Sequence, residues 1–268
     1  MQSGKLHRWN RIFRQDHRAL IVAMDHAGGG STLGLEHPGE VITKLVDGGV
    51  DAIMTSYGTA KTFTNELKGK GLIVRIDDGT GLQYSVEEAL RIGADAVITM
   101  GFVHEDVLSG EHLRYVAQVA IDCERWGVPF LAEMVPTAHV PALANPDKPA
   151  KTPFVQAVAQ ACRLGAELGA DFIKTLYTGS PESFRQVTNV CYRPVLILGG
   201  AFKEGGTAQV LENIYGSLVA GGAGVVMGRN IYQHPQPERI ARAIGMIIHE
   251  GASAERALAI LDGSPPGH

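Results

Sequence analysis

The sequence predicts an α/β protein of the (β/α)8 barrel class, a TIM barrel in a single domain. Three observations carry this. Eight short runs rich in Val, Ile and Leu recur along the chain, most of them continuously apolar, as strands covered on both faces require. A polar or glycine-bearing junction and a helical pattern follow each run. Finally, the 268 residues suit the ~250 that eight βα units occupy. An open doubly wound sheet, which shares the βα alternation, is the runner-up.

The first run, ALIVAMD (19–25), ends on Asp25 and is followed by a long connection, HAGGGSTLGLEHP (26–38). DAIMTS (51–56) and GLIVRID (71–77) supply the second and third strands, and ADAVITM (94–100) the fourth. Beyond the fourth, Leu113, Val116, Ala117, Ala120 and Ile121 fall at i, i+3, i+4, i+7 and i+8, one stripe of an amphipathic helix. The fifth run, VPFLAEM (128–134), leads into a second long connection, 135–153, with five prolines. ADFIKT (170–175), RPVLILG (193–199) and AGVVMG (223–228) complete the set. Four of the helix-to-strand junctions echo one another: Gly48-Gly49-Val50-Asp51, Gly93-Ala94-Asp95, Gly169-Ala170-Asp171 and Gly221-Gly222-Ala223-Gly224 each place glycine where a left-handed C-cap would stand. No Pro/Ser-rich linker divides the chain, so 1–268 reads as one barrel domain, with 1–18 an N-terminal extension and 251–268 a C-terminal tail.

Composition narrows the function classes. With 45% hydrophobic and 19% charged residues the chain is an ordinary globular protein, and no apolar run approaches the ~18–20 residues of a membrane span. A net charge of −4 with interspersed signs offers no basic stripe for nucleic acid. The basic N-terminus lacks the apolar centre of a secretory signal, so the cytoplasm is the expected location. Cys123, Cys162 and Cys191 form no C-x-x-C pair and read as reduced packing residues.

In a barrel the strand ends converge on one rim, and that rim supplies the candidates. Lys174 ends an apolar run, an expensive place for an ammonium. Either desolvation lowers its pKa and makes it a nucleophilic amine, or it is salt-bridged across the rim to Asp25 or Glu133 in a structural role. Asp25 and Glu133 are acid/base candidates, with His26 beside the first. Asp77 and Asp78 read as a helix cap or as partners of Arg75. Gly199-Gly200 and Gly228-Arg229 follow the seventh and eighth strands, where such barrels bind phosphate. The run GGGSTLG (28–34) lacks the lysine of a nucleotide loop. His26, His104 and His139 show no metal-ligand spacing, so no metal and no cofactor is expected.

The segments MDHAGGG, ADFIKTLYTGSPESF, VLILGGAF and GAGVVMGRNIYQHPQP together closely resemble the class I, Schiff-base aldolases of the archaeal fructose-bisphosphate aldolase type, a superfamily that includes heptulosonate synthases and the autoinducer-2 aldolase. The resemblance implies a ring-type homo-oligomer acting on a phosphorylated ketose or dihydroxyacetone phosphate. It makes Lys174 the Schiff-base lysine, Asp25 the first-strand aspartate and the two glycine segments the phosphate cradle. One departure stands out: relatives commonly read M-Y-P-R-G after the fifth strand, with the tyrosine as proton donor, whereas this chain has Met134-Val135-Pro136-Thr137. Glu133, His26, Tyr177 or a loop histidine is then the substitute acid, or the reaction is another one. The alternatives are a thiolase or isomerase acting on a phosphorylated diketone, and a barrel that binds a sugar phosphate without turnover.

Overall fold

The computed structural model describes residues 3–25, 32–78, 81–104, 111–141, 143–145, 147–148, 150–261 and 263. His26 and most of the 28–34 run lie outside them. Eight parallel strands, β1 Ala19–Ala23, β2 Ala52–Ser56, β3 Gly71–Arg75, β4 Ala96–Val103, β5 Phe130–Pro136, β6 Phe172–Thr175, β7 Val195–Leu198 and β8 Gly224–Met227, close into a barrel in sequential order. The described helices are α1 Ser3–Trp9, α2 Pro38–Asp47, α3 Tyr57–Thr62, α4 Val86–Arg91, α5 Glu111–Trp126, α6 Phe154–Glu167, α7 Pro181–Val190, α8 Thr207–Val219, α9 Arg229–Tyr232, α10 Pro237–Glu250 and α11 Ala254–Leu261. All eight expected strands are present, and the closed order excludes the open sheet.

Alternation along each strand separates two cores. Ile21, Ala23, Met54, Ile73, Ile98, Leu131, Phe172, Leu196 and Val226 point into the barrel. Their neighbours Leu20, Val22, Ile53, Val74, Val97, Ala132, Ile173 and Val225 pack outward on helical residues such as Ile42, Val116, Ala161, Ile214 and Ile244. With both faces covered, the strands are apolar throughout, which is why they read as continuous runs. On α5 the buried side is Leu113, Val116, Val119 and Cys123, whereas Ile121 is exposed. At about 100° per residue Ile121 lies roughly 140° from the centre of that face, so the expected stripe was centred too far round the helix.

The echoed junctions explain themselves in the structure. Gly49, Gly93, Gly169 and Gly221 all adopt positive φ, between 83° and 105°, and reverse the chain into the next strand. Two residues later in three of them an aspartate makes a reciprocal pair with the start of the preceding strand. Leu20 N–H donates to Asp51 Oδ2 (2.6 Å), Leu72 N–H to Asp95 Oδ2 (3.0 Å) and Phe130 N–H to Asp171 Oδ2 (2.9 Å). The aspartate N–H groups return bonds to the carbonyls of those same residues.

Residues 3–14 close this lower face. Trp9, Ile12 and Phe13 join the inner core, with Trp9 stacked on Phe13 at 4.2 Å and Phe13 edge-on to Phe172 at 5.3 Å. Cations of the same segment reach the aspartates: Lys5 Nζ to Asp171 (2.9 Å), Arg11 Nε to Asp95 (3.2 Å) and Arg14 Nε to Asp51 (2.5 Å). At the other end of the chain, the 251–268 segment carries α11, which packs on α8 and α10. No described helix is long and apolar enough to cross a membrane.

Candidate active site

Above the apolar interior, the inward positions turn ionic. Asp25 continues the inward parity of Ile21 and Ala23, Arg75 that of Ile73, Glu133 that of Leu131, and Lys174 that of Phe172. The register sets Glu133 directly opposite Lys174 across β5–β6. Lys174 Nζ meets Glu133 Oε1 at 2.7 Å, both side chains being buried. The second carboxylate oxygen of Glu133 accepts from Arg75 Nη2, whose Nε donates to Asp25 and whose Nη1 donates to Asp77 at 3.0 Å. Asp77 also takes the Met100 N–H at 2.9 Å. Two cations thus face three carboxylates in one connected group.

At Glu133 and Arg75 burial works against the charge, and the partners outweigh it. For Glu133 desolvation is the largest single influence, yet Lys174 and Arg75 together hold its pKa below the usual carboxylate value. Arg75 is likewise desolvated, while Asp25, Glu133 and Asp77 raise its pKa above the ordinary value, so it stays a cation. The salt-bridge alternative for Lys174 is therefore present in the geometry, and so is a space for a reactant. A cavity of about 600 Å3 opens beside the lysine, lined by Asp25, Arg75, Glu133 and Lys174 and by the tyrosines 57 and 84.

The other candidates fall in distinct places. Gly199, Gly200, Gly228 and Arg229 are not part of that lining but sit on the neighbouring β7–β8 arc, between Lys174 on β6 and Asp25 on β1. Asn230 Nδ2 donates to the Gly199 carbonyl at 2.6 Å and ties the two turns together. A Cβ at position 199 would come within 3.0 Å of Asn230 and Met227, so only glycine fits without displacing them. Arg229 Nε is buried and meets no acceptor among the described residues. Tyr177, by contrast, packs against Phe184 and α8, with its hydroxyl at Gly216, away from the cavity lining. His104 and His139 are engaged in the connections, with Thr137 Oγ1 (2.9 Å) and the Thr152 carbonyl (2.8 Å). Asp77 pairs with Arg75 as read, while the next helix is capped by Ser85 and Glu88 and not by Asp77 or Asp78.

Arg75 was read only as a partner for the aspartates, and the structure makes it the hub. Its signal was the one that exposed Lys174, a cation ending an apolar run.

Comparison with known proteins agrees with this geometry. A 2-amino-3,7-dideoxy-D-threo-hept-6-ulosonate synthase of Halobacterium salinarum is 36% identical, covering 96% of each chain. An uncharacterized aldolase of Saccharolobus solfataricus is 35% identical over 91% of this chain and 94% of its own. Among solved structures, an archaeal fructose-1,6-bisphosphate aldolase, captured with its catalytic lysine covalently bound to the carbinolamine intermediate, superposes with a TM-score of 0.76 at 25% identity, covering 91% of this chain and 99% of that one. The family description "DeoC/LacD family aldolase" matches residues 12–234. A closed eight-stranded barrel with this ionic mouth, together with those matches, makes the chain an aldolase, a member of the DeoC/LacD family.

Proposed function

We propose that the chain makes or cleaves a C–C bond in a phosphorylated ketose of the dihydroxyacetone phosphate type, through a Schiff base on Lys174. The observation that carries this is the placement of the Lys174 amine: buried at the end of β6, 2.7 Å from a carboxylate that can take its proton, and on the wall of a cavity. Once Glu133 accepts that proton, the neutral amine adds to the ketone carbon and the carbinolamine loses water to give an iminium. In the cleavage direction the electron pair of the C–C bond flows into the iminium, leaving an enamine on Lys174 and releasing an aldehyde. The proton of the aldehyde-forming hydroxyl passes to a carboxylate. Asp25 and Glu133, two of the three carboxylates of the group, take the role that Val135, buried and without a transferable proton, cannot fill. Arg229 and the glycine turns hold the phosphate, converting remote binding into orientation.

The test is borohydride reduction of the enzyme with dihydroxyacetone phosphate, followed by peptide mass spectrometry. A reduced adduct confined to Lys174 is the expected result. Failure of wild-type enzyme to be trapped by any ketose phosphate would remove the mechanism.

A further inference from the structure

Arg75 holds two carboxylates in an arrangement that a guanidinium left to itself would not keep. Its Nε and Nη2 hydrogens lie along one edge, the edge that a single carboxylate ordinarily takes with both oxygens. Here that edge is divided, Nε donating to Asp25 and Nη2 to Glu133. The division leaves Glu133 Oε1 for Lys174 Nζ, at 2.7 Å. It also sets two carboxylates side by side, and the charge on Asp25 acts to raise the pKa of Glu133. Something must keep the guanidinium from turning to clasp one of them with both nitrogens.

Asp77 has the geometry for that. It stands two residues beyond Arg75 with its side chain buried, and each of its oxygens has a donor. Oδ1 takes Arg75 Nη1 at 3.0 Å, and Oδ2 takes the Met100 N–H of β4 at 2.9 Å. Its backbone is fixed as well, by a bridge to Leu82. We propose that Asp77 is a positioning residue for the aldolase chemistry: by tying Nη1 to the β4 backbone it keeps the opposite edge of Arg75 shared between Asp25 and Glu133, and one Glu133 oxygen free for the lysine. The inference rests on the Schiff-base reading above, in which Glu133 takes the proton of the amine.

An amide has one acceptor where this position uses two, so Asp77→Asn turns its NH2 toward either Arg75 or the Met100 N–H. Two effects of opposite sign follow. Removing a negative charge makes nearby carboxylates harder to protonate, whereas a released Arg75 closes on one carboxylate and leaves the other easier to protonate. Positioning requires the second to prevail. The other titratable groups around the pair, Lys174 of β6, Tyr232 of α9 beside Asp25, and Tyr57, Asp78 and Tyr84 along the cavity, are the same in both proteins.

The experiment reads two rates in the wild-type enzyme and in Asp77→Asn, at about pH 5, close to the ordinary carboxylate range, and at about pH 7.5. One is labelling of Lys174 by dihydroxyacetone phosphate and cyanoborohydride; the other is exchange of solvent deuterium into dihydroxyacetone phosphate, which needs a further proton acceptor. The ratio of the acid rate to the neutral rate should fall in the variant, for one or both, by about threefold to tenfold, as a carboxylate pKa raised by about one unit gives. The final extent of labelling and the circular dichroism at both pH values should stay those of the wild type, which separates positioning from a loss of folded protein. Asp77→Glu keeps the charge and both acceptors but pushes the guanidinium by one carbon, so it should lower the ratio too, and it decides if the asparagine variant does not fold. Ratios unchanged or raised overturn this inference and leave the labelled lysine standing. Wild-type enzyme that no ketose phosphate labels overturns both.

Discussion

The two ends of the barrel use the same residue types to opposite effect. At the lower face, Asp51, Asp95 and Asp171 each take a backbone N–H and a different cation from residues 5–14, and aromatic rings seal the interior beneath them. At the mouth, Asp25, Asp77 and Glu133 share one guanidinium, and the remaining cation, Lys174, borders a cavity. A carboxylate held by a backbone N–H and a cation away from any described cavity serves to fasten the scaffold. Carboxylates that share a partner beside a space can take up or release a proton as a reactant comes and goes.

Substitutions at the two ends separate these roles. The largest effect is expected at Lys174. Lys174→Ala should lower turnover by about 10^4-fold or more, the scale of losing a covalent nucleophile, with a near-native circular dichroism spectrum. Retained turnover would make the lysine structural and erase the contrast. Next comes Arg75→Met, which leaves three carboxylates facing one another. It should cost about 3–5 kcal/mol in chemical denaturation, as removal of one partner from a buried ionic group does, and suppress activity as well. At the sealed end, Phe13→Ala should cost about 3 kcal/mol by opening a cavity under the inner core, yet folded enzyme should still be labelled at Lys174. Loss of labelling there would show that the lower face reaches into the chemistry.

The smallest effect is a pH dependence at the lower face. His249 bridges Asp16 (Nδ1, 2.7 Å) and Asp51 (Nε2, 2.9 Å); burial opposes its charge, but the bonds to Asp51 and Asp16 prevail and raise its pKa above 6.5. Arg14, bonded to the other oxygen of Asp51, opposes the charge, and Arg18 lies beside Asp16. A group whose folded pKa is raised stabilises fully below the unfolded value and loses that contribution as pH rises through the folded one. The melting temperature should therefore fall by about 2–4 °C as pH rises past 6.5 and through that higher value, and His249→Asn should flatten the change. An unaltered profile in the variant would place the pH sensitivity elsewhere.

Much of this was legible in the residues. Continuous apolar runs, glycine stops and their number point to a closed parallel sheet because strands buried on both faces must be apolar. Lys174 stood out because an ammonium ending such a run needs a reason. What stayed hidden depends on neighbours around the ring. Arg75 and Glu133 lie 58 residues and two strands apart, and only the register brings them together across β4. The lower plate was read as a basic extension, since nothing local tells that Lys5, Arg11 and Arg14 each meet an aspartate from a different junction. The exposed Ile121 shows the limit of periodicity on α5, where several faces carry aliphatic residues.

The echoed junctions precede β2, β4, β6 and β8, and each stitches its even strand to the odd strand before it. The chain is thus a series of four self-locking quarters, and cutting it near residue 127, between the second and third, leaves two halves whose internal stitches survive. The quarter whose junction has Ala223 in place of aspartate is the one that supplies both glycine turns and Arg229, the segments proposed above to hold the phosphate, so the module with the lightest stitch is the one assigned to the ligand.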